Sequence, residues 1–171
     1  VVGQINALSV YSTAGSEFGM PNRVTANCYF GDGDITDIEH HAKLGGNIHT
    51  KGILILSSYL SSLFAKDDLM PLSASIAFEQ SYGEEDGDSA SMGEFCALIS
   101  SLADVPIKQS FAITGSVNQF GEVQPIGGAN EKIEGFFDAC ELIGANEHQA
   151  VIIPASNIAN LMLSAKVIDA V

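Results

Sequence analysis

The chain has 171 residues, 46% of them hydrophobic, and a net charge of −14, which suits one domain with its own core. So acidic a chain argues against the basic surface that phosphate binding requires, so no nucleic-acid partner is expected for this domain. No apolar run reaches the length of a bilayer span, so no membrane role is expected.

The chain starts Val-Val-Gly, without an initiator methionine and without a basic segment leading into an apolar one. It reads as a piece of a longer cytoplasmic protein with no secretory signal. Three widely spaced cysteines, Cys28, Cys96 and Cys140, form no CxxC pair and read as reduced core residues.

Gln4–Tyr11 alternates as a strand does, Ser12–Pro21 is rich in turn residues, and Arg23–Phe30 is a β-rich run. Gly31-Asp32-Gly33-Asp34 turns the chain into a strand at Ile35–Ile38, so the first third predicts a hairpin or meander. Calcium is the alternative for Asp32, Asp34 and Thr36. An EF-hand loop needs a central glycine and a closing glutamate, where this chain has Asp37 and Lys43. Ile53, Leu54, Leu56, Tyr59, Leu60 and Leu63 share one broad helical face, in a helix that begins near Ile48–Lys51 and runs to Phe64. His40, His41 and His49 precede it with neither HExxH nor a spaced Cys/His set, so no metal site is expected.

Leu72–Gln80 alternates like a half-buried strand, and Ser81–Asp88 is a loop of glycine and acids. A helix is predicted over Ser89–Ala103, stopping before Pro106. Ile107–Val117 predicts a strand ending at Gly115, with Gly121–Gln124 paired to it across Asn118–Phe120. Pro125-Ile126-Gly127-Gly128 then turns into a helix over Asn130–Leu142. Gln149–Ile153 is a short strand closed by Pro154, and Ile158–Leu163 a last short helix. Strands and helices mix without regular βαβ alternation, which predicts one α+β domain over residues 1–171, with mixed sheets and several packed helices.

Two stretches carry chemistry. Asp86-Gly87-Asp88-Ser89-Ala90-Ser91 sets a small hydroxyl residue after turn-forming acids and ahead of an apolar helix. Backbone N–H groups and the positive end of the helix dipole gather at such a point and can stabilise an oxyanion. Gly127-Gly128-Ala129-Asn130-Glu131-Lys132 places one lysine beside Ile133, Phe136 and Phe137. A lysine among apolar neighbours loses solvation as a cation, so its pKa falls. A serine with such a lysine forms a nucleophile and its base. The duller readings are a helix-capping serine and a solvated helix lysine.

Together with Ala112–Val117 (Ala-Ile-Thr-Gly-Ser-Val) and Gly121–Gly128 (Gly-Glu-Val-Gln-Pro-Ile-Gly-Gly), these blocks resemble the Lon protease proteolytic domain, a family of Ser-Lys peptidases. The likeness is nearest to the Lon B-type and bacterial Lon-related proteins, whose serine motif also lacks proline before the serine. The resemblance implies Ser89 as nucleophile, with Ser91 as the rival hydroxyl, and Lys132 as base. Thr114 then partners the amine, Asp86 shapes the loop, and backbone N–H groups around Ser89 and Ala90 hold the oxyanion. Gly127 and Gly128 allow a tight turn and close approach before the lysine helix. Glu84-Glu85 and Asp88 depart from the family's commoner Pro-Lys and proline.

A useful base needs a pKa near ~7–8 rather than the ordinary ~10.4, about 4 kcal/mol that only burial of the amine supplies. The resemblance further implies unfolded or damaged polypeptides as substrates and no metal or organic cofactor in this domain. ATP and Mg would be used by an ATPase portion of the parent absent from this chain, and the parent would assemble as a hexameric ring. A catalytically inactive assembly domain is the alternative. A cysteine hydrolase built on Cys96 or Cys140 is a third reading.

Overall fold

In the computed structural model, which describes residues 1–65, 72–81, 87–144 and 148–170, one long hairpin forms the middle of the sheet. β1 (Gln4–Thr13) and β2 (Ser16–Phe30) pair antiparallel from Gln4 opposite Thr25 to Thr13 opposite Ser16. Only Ala14 and Gly15 turn the chain, so the turn-rich reading of Ser12–Pro21 is corrected. Pro21 lies inside β2, opposite Leu8. The other neighbour of β2 reaches only from Arg23 to Phe30, so at Pro21 the strand is an edge, where a missing N–H is tolerated.

Of the hairpin or meander expected in the first third, the β1–β2 hairpin forms, but the chain past Gly31–Asp34 does not turn back onto β2. β3 (Ile35–Asp37) instead runs parallel to β4 (Leu72–Glu79), which pairs antiparallel with β2. Asp37 ends β3 by capping the short helix α1 (Ile38–His41), its carboxylate accepting the His40 N–H at 3.3 Å. α2 (Asn47–Phe64) follows, and α3 (Ser91–Ala103) comes after β4. β5 (Phe111–Ile113) and β8 (Ala150–Ile152) complete the sheet in the order β3-β4-β2-β1-β5-β8. β5 is parallel to both β1 and β8. β6 (Ser116–Val117) and β7 (Val123–Gln124) form a separate antiparallel pair. The strand expected over Ile107–Val117 is therefore broken. Its break lies at Thr114 and Gly115, where the Gly115 N–H turns away to the Ser89 carbonyl at 2.8 Å.

α4 (Ala129–Leu142) precedes β8. Beyond β8 lie a 3-10 turn over Ala155–Asn160 and α5 (Ala165–Ile168), not the single helix expected at Ile158–Leu163. Pro154 fixes the earlier start, and Asn157 holds the turn by bonding both backbone groups of Ile126, at 2.8 and 3.0 Å.

Alternation along the strands divides the core in two. Ile5, Ala7 and Ile113 face α2 and α3, packing against Ile53, Leu56, Ala97 and Leu98. Leu8 and Ala112 point the other way, against Phe136 and Cys140 of α4. Helices thus cover both faces of a mixed sheet. α4 lies unusually close to β2, because a Cβ on Gly135 would stand 1.9 Å from the Gly19 carbonyl oxygen. A Cβ on Gly19 would likewise strike the backbone of Glu131 and Lys132. Only two glycines permit this contact, and it sets where the first turn of α4 sits.

Candidate active site

The two helix-bearing layers meet at Thr114, the residue after β5. From one side comes the turn before α3. Ser91 N–H and Ser91 Oγ both donate to the Asp88 carbonyl, at 3.1 and 2.6 Å, which draws Ser89 and Ala90 into a tight bend. The helix starts at Ser91 rather than at Ser89, with Ala90 in the capping place. Ser89 is therefore not a cap, and its hydroxyl is left for another partner. The Ser89 carbonyl is held twice, by Gly115 N–H at 2.8 Å and by Thr114 Oγ1 at 3.3 Å.

From the other side comes the first turn of α4. Gly128, at φ +67°, ends the preceding loop and stands so close to Val10 that a Cβ would fall 2.6 Å from Val10 Cγ2. Gly127 differs from expectation, since a Cβ there would meet open space. Lys132 projects inward and is only 3% exposed. Its Nζ lies 2.9 Å from Ser89 Oγ and 3.3 Å from Thr114 Oγ1. Thr114 thus accepts from the amine and donates to the Ser89 carbonyl, tying both predicted residues to one strand end. Burial pulls the Lys132 pKa down from 10.5 to about 8, against an opposing pull from the Asp88 carboxylate.

The structure brings Ser89, Ala90, Thr114, Gly128 and Lys132 together, with Gly127 on the loop leading in. Asp86 lies outside the described residues, as do Glu84 and Glu85. The rival hydroxyl of Ser91 is 1% exposed and donates to the Asp88 carbonyl, whereas the amine bonds Ser89 and Thr114. Burial raises the Cys96 and Cys140 thiols, which opposes the thiolate a cysteine hydrolase would need.

Sequence reasoning missed two contributors. Asp88, read only as a substitute for proline, accepts the buried Ser116 hydroxyl at 2.8 Å and exerts its charge on Lys132. Gly19 and Gly135 seat the lysine helix, yet they stand far apart in sequence and in no motif. The signal available for Asp88 was its charge, directly before the serine. For the glycines there was none.

Comparison with known proteins identifies the family of the chain. The family described as the Lon protease (S16) C-terminal proteolytic domain matches residues 74–168, and the chain belongs to that family. Among relatives, it is 55% identical over 172 residues to the "Putative Lon protease homolog" of Escherichia coli (strain K12), covering 99% of this chain and 29% of that protein. The Haemophilus influenzae protein of the same name is 50% identical over 173 residues, covering 100% of this chain and 29% of its own length. The Archaeal Lon protease of Methanocaldococcus jannaschii is 37% identical over 153 residues, 77% of this chain and 22% of that one. The chain therefore spans under a third of these relatives.

Proposed function

We propose that this chain is a serine endopeptidase acting through Ser89 and Lys132. The observation that carries the reading is the buried Lys132 amine, 2.9 Å from the Ser89 hydroxyl. Around neutral pH and above, a growing share of that amine is uncharged, so its lone pair can accept the Ser89 proton as Oγ attacks a peptide carbonyl. Lys132, now an ammonium, returns the proton to the leaving amine as the C–N bond breaks. A water then attacks the ester, its proton passes by way of Lys132, and Ser89 is released with a carboxyl product. Ser91 N–H is engaged by Asp88 and Met92 N–H by Gly115, so the N–H groups of Ser89 and Ala90 are assigned to the oxyanion. Thr114 keeps the amine oriented between proton transfers.

Substrates in this reading are unfolded or damaged polypeptides bound in extended form. ATP use, hexameric ring assembly and a cytoplasmic site of action are proposed for the parent protein, with the ATPase module in the remaining length that its relatives have. The deciding experiment treats the protein and its Ser89→Ala variant with a serine-directed fluorophosphonate, alongside cleavage of an unfolded polypeptide. Labelling and cleavage that both vanish in Ser89→Ala are expected. An unlabelled native protein, beside a labelled Lon protease domain, would leave the assembly-domain reading standing.

A further inference from the structure

A second buried cation lies one helical turn beneath the site. His49, on the first turn of α2, is 2% exposed. Its Nε2 meets Glu94 Oε1 at 2.7 Å, and its Nδ1 faces Asp37 Oδ2 at 3.4 Å, an ion-pair distance. Both carboxylates are buried as well, Glu94 at 1% and Asp37 at 6% exposure. The Phe78 ring on β4 packs edge-to-face with the imidazole, 5.6 Å between centroids, and the chain at Gly45 lies beside it. Glu39 of α1 lies close by, its carboxylate accepting the Phe78 N–H at 2.9 Å. The histidine thus clamps three elements, β3, α2 and α3. No step of the proposed reaction uses it.

Its position relative to Ser89 gives it a consequence. Gly52 is three residues past His49 on the same face of α2, and a Cβ there would fall 3.2 Å from Ser91 Oγ and 3.3 Å from Asp88 Cβ. Glu94 is three residues past Ser91 on α3. The contact that presses α2 against the Asp88–Ser91 bend is therefore the next one along the helices from the His49–Glu94 pair. We propose that the Asp37–His49–Glu94 cluster is a positioning device for the reaction centre, and that its charge state sets the upper pH limit of the site.

Burial alone would hold His49 neutral, but pairing with Asp37 and Glu94 overrides it and raises its pKa to about 10. In the unfolded chain it titrates near ~6.5. The clamp is therefore fully present below that value and is lost as pH rises through about 10. Once His49 loses its proton, two buried carboxylates lose their counter-charge, and α2 no longer holds the bend. Lys132 needs alkaline solution to become neutral, so the two groups bound the working range from opposite sides.

This inference rests on the Ser89–Lys132 reading, and its test separates the two. Fluorophosphonate labelling of Ser89, the side-chain NMR signal of His49 and the lysine Cε signal of Lys132 are followed from pH 7 to pH 11. The proteins compared are wild type, Glu94→Gln, Glu94→Asp and His49→Gln. Wild-type labelling should climb as Lys132 deprotonates and fall only above about 10. In Glu94→Gln the fall should come at least about one pH unit earlier, with labelling at pH 9.5 at least about three-fold below wild type. Glu94→Asp should restore most of the range. An alkaline fall that stays in place while the His49 signal has moved overturns the proposal. Should wild type label at no pH, the peptidase reading fails and Lys132 becomes the arbiter. A Lys132 titration shifted toward its ordinary value in His49→Gln supports the clamp, and an unchanged one overturns it. If His49→Gln does not fold, the Lys132 titration in Glu94→Gln, compared with Glu94→Asp, decides in the same way.

Discussion

Two cations, Lys132 and His49, are buried to nearly the same degree, 3% and 2% exposed, yet the protein treats them in opposite ways. Lys132 is met by two hydroxyls and is pushed down to about 8. His49 is met by two carboxylates and is driven up to about 10. Burial sets the cost of a charge, and the neighbours decide whether the group keeps its proton or loses it. In the proposed reading one site is made reactive by bonding its cation to hydroxyls alone, with the Asp88 charge acting from further off, and the other is made rigid by pairing its cation with two carboxylates.

The comparison is broken most completely at its reactive member. Ser89→Ala and Lys132→Ala should each reduce polypeptide cleavage by about 10³-fold or more, with near-UV circular dichroism unchanged. Turnover that survives Ser89→Ala and disappears in Ser91→Ala would move the nucleophile by two residues. Next in size is His49→Phe, which strands two buried carboxylates and should cost about 3–5 kcal/mol in urea unfolding. Thr114→Val removes the amine's second partner and one of the two bonds on the Ser89 carbonyl, and kcat should fall about ten-fold for about 1 kcal/mol of stability. The smallest effect sharpens the comparison. Asp88→Asn removes the one carboxylate among the described residues that acts on Lys132, so the amine's pKa should drop further and the acid limb of the pH–rate profile move down by about one unit.

Linkage adds a whole-molecule form of the same contrast. Lys132 has a folded pKa below its unfolded value, so its burial penalises the folded state below about 8 and stops doing so as pH passes 10.5. On its account stability rises between those values. His49 has a raised folded pKa, so on its account stability falls from near ~6.5 to about 10. Between about 8 and 10 the two slopes oppose each other. Thermal midpoints of the native protein should be nearly flat across that interval as far as these groups are concerned, and should rise with pH in His49→Gln.

Residues fixed by local chemistry could be read from the sequence. Ser89, Lys132 and Thr114 stand in short motifs whose spacing carries the resemblance, and the α+β architecture followed from how strands and helices alternate. The start of α3 was misplaced by two residues, because side-chain patterning cannot register that Ser91 folds back onto the Asp88 carbonyl. The parallel pairing of β3 with β4 was equally hidden, since a glycine-aspartate turn signals a reversal and says nothing of the partner. His49 was weighed only as a metal ligand. Its carboxylates come from the end of β3 and from α3, and only the folded sheet brings them to one point.

The bare contact between Gly19 and Gly135 makes the reactive geometry dependent on a place with no chemistry of its own. A single methyl group at residue 135 would have to displace backbone, levering the whole of α4 outward and carrying the amine with it. In the proposed reaction a shift of about 1 Å there would cost about 10²-fold in turnover. Tolerance to substitution in this molecule is therefore set as much by how nearly two main chains touch as by the groups that meet a substrate.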